Sequence, residues 1–387
     1  MGLTRKHTVS LSLALVTAAG TARAVAQAKP GQEAAALEKE GRYADAEKAW
    51  DTLAKQYPKN AEPLAHMGLI EAHLEHYPEA IAHYQKAMAL NPAMPGLRLN
   101  LGLAYFKSGD YQHAIATLNP LFKADPTDQR LAILLGMSHY GLAQYATASP
   151  FLEQASERDP QNLPLLLTLA HSCLLSNQYQ CVLDAYHRIV ALNAESAEAD
   201  MLVGEALDEM KDTAGAIREF RAAIAANPKE PNAHFGLGYL LWTEGQYADA
   251  AQEFQAELAS DPQHAQATFY LADSYIQINR MPDAQPLLEG LIRTDSANAK
   301  AHVDLGIVYA DAGRNEDALR EFQMAIKLAP GNVNAHYRLG RLYRSMGKTA
   351  EAKAEFDKAS SLNKAEDERL LKVMSHLPAS GQGTPQK

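Results

Sequence analysis

Cysteine is scarce in this sequence. Only two cysteines, Cys173 and Cys181, occur in 387 residues. A small secreted domain stapled by several disulfides needs more, and a zinc site built from paired Cys-x-x-Cys motifs needs four. The low count excludes both classes, so the fold must depend on packing of the hydrophobic residues, which make up 47% of the chain.

The sequence motifs of common enzymes are also missing. There is no glycine-rich phosphate loop and no His-Glu-x-x-His zinc motif. Four histidines crowd one stretch: His66, His73, His76 and His83. Three or four of them would have to converge to hold a metal ion, and we interpret them as solvated helical side chains. We therefore predict that the protein is not an enzyme and uses no metal or cofactor.

Positive charge is in deficit. Lysine and arginine total 36 against 46 acidic residues, a net charge of −10. An acidic surface repels phosphate backbones, so we expect no nucleic-acid partner. After the N-terminal segment, no run of residues is long and apolar enough to span a bilayer, which takes about 20 residues. We predict that the mature chain has no membrane span.

Residues 1–26 have the layout of a secretory signal peptide. Arg5 and Lys6 are followed by a mostly apolar run over 9–19 and by small residues suited to cleavage over 22–26. The alternative is an uncleaved anchor, but the apolar run is shorter than a membrane span. Removal of this segment takes the net charge from −10 to −13, because it carries three basic residues and no acid. We expect a periplasmic or secreted protein.

The rest of the chain repeats every 34 residues. Residues 61–94 align with 95–128 without insertion or deletion, and the register continues from 27 to 366 as ten units. The aligned pairs are Gly68 with Gly102, Tyr77 with Tyr111, Ala80 with Ala114 and Pro92 with Pro126. Apolar residues recur at helical spacing in each half of a unit, and the proline ends the second half because it lacks an N–H. Each unit is therefore predicted to be a helical hairpin that must stack on its neighbours.

This pattern of a small residue, an aromatic, an alanine, a large residue and a proline at fixed offsets resembles the tetratricopeptide repeat (TPR) family. The resemblance implies an all-α fold, a right-handed superhelical solenoid of ten helix-turn-helix repeats. The predicted repeats are 27–60, 61–94, 95–128, 129–162, 163–196, 197–230, 231–264, 265–298, 299–332 and 333–366. We predict a capping helix over 367–376 and a disordered tail over 377–387, which is rich in Pro, Gly and Gln without periodicity.

The two cysteines lie on either side of a predicted turn in the fifth repeat. In an exported protein such a pair favours a disulfide. Against it, Cys173 falls on the buried stripe, whereas residues in register with Cys181 are mostly polar. The sequence leaves the pairing open.

In TPR proteins the face of the first helix opposite its buried stripe lines a concave groove and binds partners, and the resemblance implies the same here. In this chain that face carries many apolar side chains. The predicted partner-binding residues are Leu99, Phe106, Met137, Tyr140, His171, Leu174, Phe235, Tyr239, Trp242, Phe269 and Tyr270. Some of them are expected to pack sideways against the next repeat, but Met137, His171 and Tyr239 point further from the stripe.

Charged residues on this face fall in bands. The sixth repeat carries Glu198, Glu205, Asp208 and Glu209, and the tenth carries Arg338, Arg341 and Arg344. An arginine row suits a carboxylate or phosphate. The carboxylate clamp of chaperone-binding TPR proteins is absent, since only Asn100 matches its residue type and Arg130 only its charge.

Two functions remain open at this point. The first is an exported scaffold that binds a peptide or protein segment in the groove, in envelope assembly or secretion. The second is an enzyme-associated or sensor module that binds a small ligand in the aromatic patch of repeats seven and eight. The sequence does not name the partner.

Overall fold

The computed structural model describes residues 28–192 and 196–376, and their side chains over 31–192 and 196–365. The predicted signal peptide and tail lie outside the described residues. Contacts divide the chain after Asp212 into an N-terminal unit and a C-terminal unit that begins at Thr213.

Helices account for all regular structure in the described ranges. Those of the N-terminal unit are α1 (Ala28–Lys39), α2 (Tyr43–Gln56), α3 (Ala61–His73), α4 (Tyr77–Leu90), α5 (Leu97–Ser108), α6 (Tyr111–Ala124), α7 (Gln129–Gly141), α8 (Tyr145–Arg158), α9 (Leu163–Leu175), α10 (Tyr179–Ala191) and α11 (Ala197–Glu209). Those of the C-terminal unit are α12 (Thr213–Ala226), α13 (Ala233–Thr243), α14 (Tyr247–Ser260), α15 (Ala265–Gln277), α16 (Met281–Thr294), α17 (Ala299–Asp311), α18 (Asn315–Leu328), α19 (Val333–Ser345) and α20 (Thr349–His376). The predicted all-α fold of helical hairpins is confirmed, and the sixth repeat is shared between the units.

Each hairpin turns at the same point of the 34-residue register. The residue in the turn has a positive φ in all ten repeats: Gly41, Glu75, Gly109, Ala143, Asn177, Lys211, Gly245, Asn279, Gly313 and Gly347. Five are glycine, which adopts the left-handed conformation without steric penalty, and two are asparagine, which tolerates it. At Ala143, with a φ of 56°, the side chain instead imposes strain.

Replacing Ala143 with glycine is expected to stabilise the N-terminal unit. A left-handed residue with a Cβ costs about 1 kcal/mol or more, and relief of that strain outweighs the extra freedom of glycine in the unfolded chain. Urea unfolding of the full chain measures the effect. The matched control is Ala146→Gly within α8, which should destabilise by about 1 kcal/mol because glycine is a poor helix residue. Destabilisation by both variants would contradict the turn assignment.

The two helices of a hairpin approach closely where a small residue faces a large one. A Cβ built on Gly68 would lie 2.7 Å from the Tyr84 ring, and one on Gly306 would lie 2.6 Å from Cε1 of Phe322. Tyr84 and Phe322 are fully buried, as are the alanines in register with Ala80. Because protein interiors are close-packed, the small residue and the large one fit only as a pair.

A second contact joins the helices of three hairpins in the C-terminal unit. Nδ1 of a first-helix histidine lies 2.6, 2.5 and 2.6 Å from a second-helix glutamate in the pairs His234–Glu253, His302–Glu321 and His336–Glu355. The other ring nitrogen faces a backbone carbonyl, at 3.2 Å from Ser296 O in the case of His302. Each of these neighbours can accept a hydrogen bond from the ring. Each pair links the first helix of its repeat, α13, α17 or α19, to the second helix of the same repeat.

The C-terminal end of the array differs from the sequence prediction. At the N-terminal end, α1 includes Pro30 and Gly31, because a proline in the first helical turn loses no hydrogen bond. The predicted capping helix 367–376 is not a separate element, because α20 runs unbroken from Thr349 to His376. Lys364 stands where seven other repeats have the helix-ending proline, so nothing stops the helix there.

Bilayer-spanning helices are not found in the described part of the chain, where every helix is too short or too polar.

Candidate functional site

Five aromatic rings form a continuous cluster on the first helices of repeats seven and eight. The aromatic cluster consists of Phe235, Tyr239 and Trp242 on α13 with Phe269 and Tyr270 on α15. Tyr270 is at its centre, with ring centroids 5.3 Å from Tyr239 and 5.0 Å from Trp242, both edge to face. Phe269 lies 5.3 Å and Phe235 6.2 Å from the same ring. The period therefore brings together side chains that are about 30 residues apart.

The aromatic cluster packs on the buried core of repeat seven and keeps part of its surface exposed. Phe254 of α14, fully buried, stacks under Tyr270 at 5.8 Å. All five cluster rings are half-buried, so they pack between adjacent repeats and still expose surface. Aromatic pairs in this geometry stabilise one another by about 0.5–1.5 kcal/mol. The rings are thus held in place while part of their surface remains free for contact.

One edge of the cluster ends on a carboxylate. Nε1 of Trp242 donates to Oδ2 of Asp273 at 2.5 Å, and the Gln277 amide donates to Oδ1 at 3.3 Å. Asp273 is only 9% exposed. Burial raises the pKa of Tyr270, and the neighbouring Tyr239 and Asp273 raise it further. The Trp242–Asp273 bond joins repeats seven and eight.

A second carboxyl lies next along the same face, on α17. Asp304 is 8% exposed, and its Oδ2 is buried without a hydrogen-bond partner. Burial above all, and then the Asp273 carboxylate, raises the pKa of Asp304 to about 8, while Arg338 and Lys300 lower it. A neutral carboxylic acid is therefore the favoured form near neutral pH when nothing else approaches.

Asp304 is expected to make stability depend on pH. Its folded-state pKa lies above the unfolded value of about 3.9, so the folded protein binds this proton more tightly than the unfolded chain. The stabilisation is complete below about pH 4 and is lost as pH rises to about 8. Urea unfolding of Asp304→Asn and the wild type should show that the wild type loses stability relative to the variant across this window.

The control for this comparison is Asp249→Asn, an exposed acid on α14. The difference in free energy of unfolding between Asp249→Asn and the wild type should not change with pH in the way expected for Asp304→Asn. Parallel pH profiles for the wild type and Asp304→Asn would contradict the buried, unpaired state of Asp304.

The predicted residues of the N-terminal unit form a separate group. Tyr140 O–H and Nδ1 of His171 are hydrogen-bonded, and Tyr145 packs edge to face on Tyr140 at 5.5 Å. Burial first, then Tyr145 and Glu198, raises the pKa of Tyr140 to about 12. Met137 is half-buried on α7. These side chains extend the first-helix face between repeats four and five.

Three predicted residues contribute to packing instead. Leu174 is 8% exposed and belongs to the core, contrary to the prediction of an exposed position. Leu99 and Phe106 pack against the buried cluster around Leu118 and Leu135. The rotation of each helix about its own axis directs these side chains towards the neighbouring repeat.

The three arginines of repeat ten do not form one row. Arg338 and Arg341 line a cavity of about 390 Å³ together with Ile307 and Asp311. Arg344 instead lies over the Phe356 ring, 5.6 Å from its centroid. Only Arg338 and Arg341 are therefore placed together as a pair of cations.

Asp273 and Asp304 are site residues that the sequence analysis missed. A signal was present, since Asp273 is in register with Met137, His171, Tyr239 and Arg341, and Asp304 with Tyr270. The acidic band of repeat six has a half-buried member, Glu205. Burial, with Asp208 and Glu209, raises the pKa of Glu205 to about 7.

Cys173 and Cys181 are joined by a disulfide, with a Cα–Cα distance of 5.9 Å. It closes the hairpin of α9 and α10 close to its turn. Cys173 is fully buried, and Cys181 is half-buried despite the polar residues in register with it.

Within the described ranges, no group of three or more His, Cys, Asp or Glu residues is arranged to hold a metal ion.

The protein consists of stacked helical hairpins whose first helices have a partly exposed face, which places it in the class of helical-repeat proteins. Two family profiles, both described as tetratricopeptide repeat, match the sequence. One matches 72–137 and 309–377, and the other matches 32–95, 183–231, 204–265, 235–299 and 269–333. The matches cover well over half of the chain, and the protein belongs to the tetratricopeptide repeat family.

Solved structures similar to this chain include two of MamA and one of YrrB. A crystal structure of MamA is 25% identical over 43% of this chain and 97% of its own, with a TM-score of 0.40. MamA from Desulfovibrio magneticus RS-1 is 22% identical over 45% and 98%, with a TM-score of 0.42. YrrB, a TPR protein with an unusual peptide-binding site, is 20% identical over 46% and 92%, with a TM-score of 0.41. A search of curated proteins found no match.

Proposed function

We propose that this TPR protein is an interaction scaffold whose aromatic cluster binds a segment of a partner protein. The main support for the proposal is that the five rings are held in place and are still partly exposed. They are fixed by one another, by Phe254 and by the Trp242–Asp273 bond, yet each keeps exposed surface. Exposed apolar surface of this kind marks interaction sites, and rigid aromatic side chains lose little freedom on binding.

A protein segment suits this surface better than a small molecule. The rings lie side by side along two adjacent first helices, and Asp273 and Asp304 continue the same face on α15 and α17. An elongated ligand would contact several repeats at once. Hot spots of protein interfaces are enriched in tyrosine and tryptophan, two of the residue types that dominate here.

The proposed function is tested by selecting binders from a random peptide library on the full chain. Peptides that bind the wild type should lose affinity for Tyr239→Ala and keep it for Tyr337→Ala. Tyr337 is a matched control because it is an aromatic residue of the same unit, 48% exposed and outside the aromatic cluster. The proposal would be refuted if the selected peptides bound Tyr239→Ala as tightly as the wild type. It would also be refuted if the selection yielded no peptides while small molecules bound the aromatic cluster.

We also propose that the protein is exported and works in the periplasm or outside the cell. Two features support this: the signal-peptide pattern of residues 1–26 and the disulfide between Cys173 and Cys181, since disulfides persist in oxidising compartments. Mass spectrometry of the protein from its native host should find an N-terminus near residues 25–29 and the two cysteines linked. An intact residue 1 or 2 with free thiols would refute export by this route.

A further inference from the structure

The edge of the aromatic cluster carries two nearly buried carboxyl groups with no cation bonded to them. We call Trp242, Tyr270, Asp273 and Asp304 the acidic notch. Asp273 accepts only from the neutral Trp242 indole and Gln277 amide. Oδ2 of Asp304 has no hydrogen-bond partner. Neither carboxyl forms an ion pair among the described residues, whereas carboxylates elsewhere in the same ranges pair with lysine or arginine, as Asp51 does with Lys55 and Asp317 with Arg314.

Such an arrangement is costly in the free protein. Burial of an unpaired polar group without a hydrogen bond is unfavourable, and native proteins rarely leave one unsatisfied. The Asp273 carboxylate lies close enough to Asp304 to disfavour its ionisation. Two cations, Arg338 on α19 and Lys300 on α17, oppose this effect without bonding to Asp304, and Nε of Arg338 donates to Asn334 instead.

The aromatic members of the notch suit a cation as well. Trp242 and Tyr270 are in edge-to-face contact, and Trp242 is hydrogen-bonded to Asp273. Tryptophan and tyrosine rings attract lysine, arginine and quaternary ammonium groups through their electron-rich faces. Carboxyl groups and such rings side by side satisfy both the charge and the alkyl stem of a long basic side chain.

We propose that the acidic notch binds the ammonium or guanidinium group of a lysine or arginine side chain on the partner segment. This inference rests on the proposed function, and it specifies the partner as a basic segment. The bound cation would pair with the Asp273 carboxylate at the edge of the cluster, and its positive charge beside the buried Asp304 would favour the ionised form of both carboxyl groups.

The probe for this site is Nα-acetyl-lysine methylamide, with the norleucine analogue as its uncharged counterpart. The protein has two tryptophans, so its NMR spectrum contains two indole N–H signals, and the Trp242→Phe variant assigns the one that reports on the notch. The lysine probe should shift the Trp242 signal in a saturable manner. The norleucine probe should bind about tenfold more weakly or not at all, as expected for loss of a charge-assisted hydrogen bond.

Asp304→Asn keeps the size of the side chain and should weaken lysine-probe binding about tenfold, whereas Asp249→Asn on α14 should leave it unchanged. The proposal is overturned if norleucine binds as tightly as lysine, or if Asp304→Asn binds the lysine probe like the wild type. The two proposals fail separately. Selected peptides that need Tyr239 but tolerate Lys→Gln and Arg→Gln changes would refute the basic partner alone, and a selection without Tyr239-dependent binders would refute the proposed function.

Discussion

Replacing Gly306 with leucine is expected to lower the free energy of unfolding of the C-terminal unit by about 3 kcal/mol. Even a single added Cβ would lie 2.6 Å from Cε1 and 2.7 Å from Cδ1 of Phe322. Phe322 is only 1% exposed and cannot swing into solvent. The α17–α18 hairpin would have to open to accept the larger side chain. Urea unfolding of the full chain, followed by circular dichroism and tryptophan fluorescence, measures the change.

Gly290 provides the matched control in the same unit. It lies within α16, and a Cβ built on it meets no atom within 4 Å. Gly290→Leu should therefore be neutral or stabilise the unit by about 0.5 kcal/mol, because leucine favours a helix more than glycine does. A small effect at Gly306, or equal losses at both glycines, would show that the assigned register is wrong.

Truncating Tyr239 to alanine is expected to weaken binding of a selected peptide by about 2 kcal/mol, roughly thirtyfold. The Tyr239 ring touches Tyr270 and Trp242 and is half-buried, so it contributes exposed contact area within the aromatic cluster. The loss of folding stability should be smaller, about 1 kcal/mol, because mainly the aromatic contacts are lost. Isothermal titration calorimetry and urea unfolding of one variant separate the two effects.

Tyr337→Ala is the control for this comparison. Tyr337 is 48% exposed and touches Phe356 at 5.7 Å, outside the aromatic cluster. It should bind the selected peptide as the wild type does. An equal loss of affinity in both variants would indicate a general effect of aromatic truncation, and the aromatic cluster could then not be identified as the binding site.

The helical hairpins could be predicted from the sequence because a strict period places like residues at like positions. Gly68 faces Tyr84, and the turn falls at Gly109 and at its equivalents in every repeat. Local patterns account for both, since a small residue must face a large one and a left-handed turn favours glycine.

The details of the candidate site could not be predicted in the same way. The Trp242–Asp273 bond joins residues 31 apart, and its formation depends on the position of one repeat against the next. Leu174 is buried and His171 half-buried although they are three residues apart on α9, because a small rotation of a helix decides which side chains the next repeat covers. The continuous helix α20 follows from the sequence, because Lys364 replaces the proline that ends the second helix in seven other repeats.

Photo-crosslinking from position 239 tests the central claim most directly. A photoreactive phenylalanine analogue replaces Tyr239 in one variant and Asp249 in another, and each is irradiated with a peptide selected on the wild type. The account predicts a crosslink from position 239, located on the peptide close to a lysine or arginine, and none from position 249 on α14. A peptide that crosslinks from position 249 and not from position 239 would place the binding site away from the aromatic cluster and contradict the account.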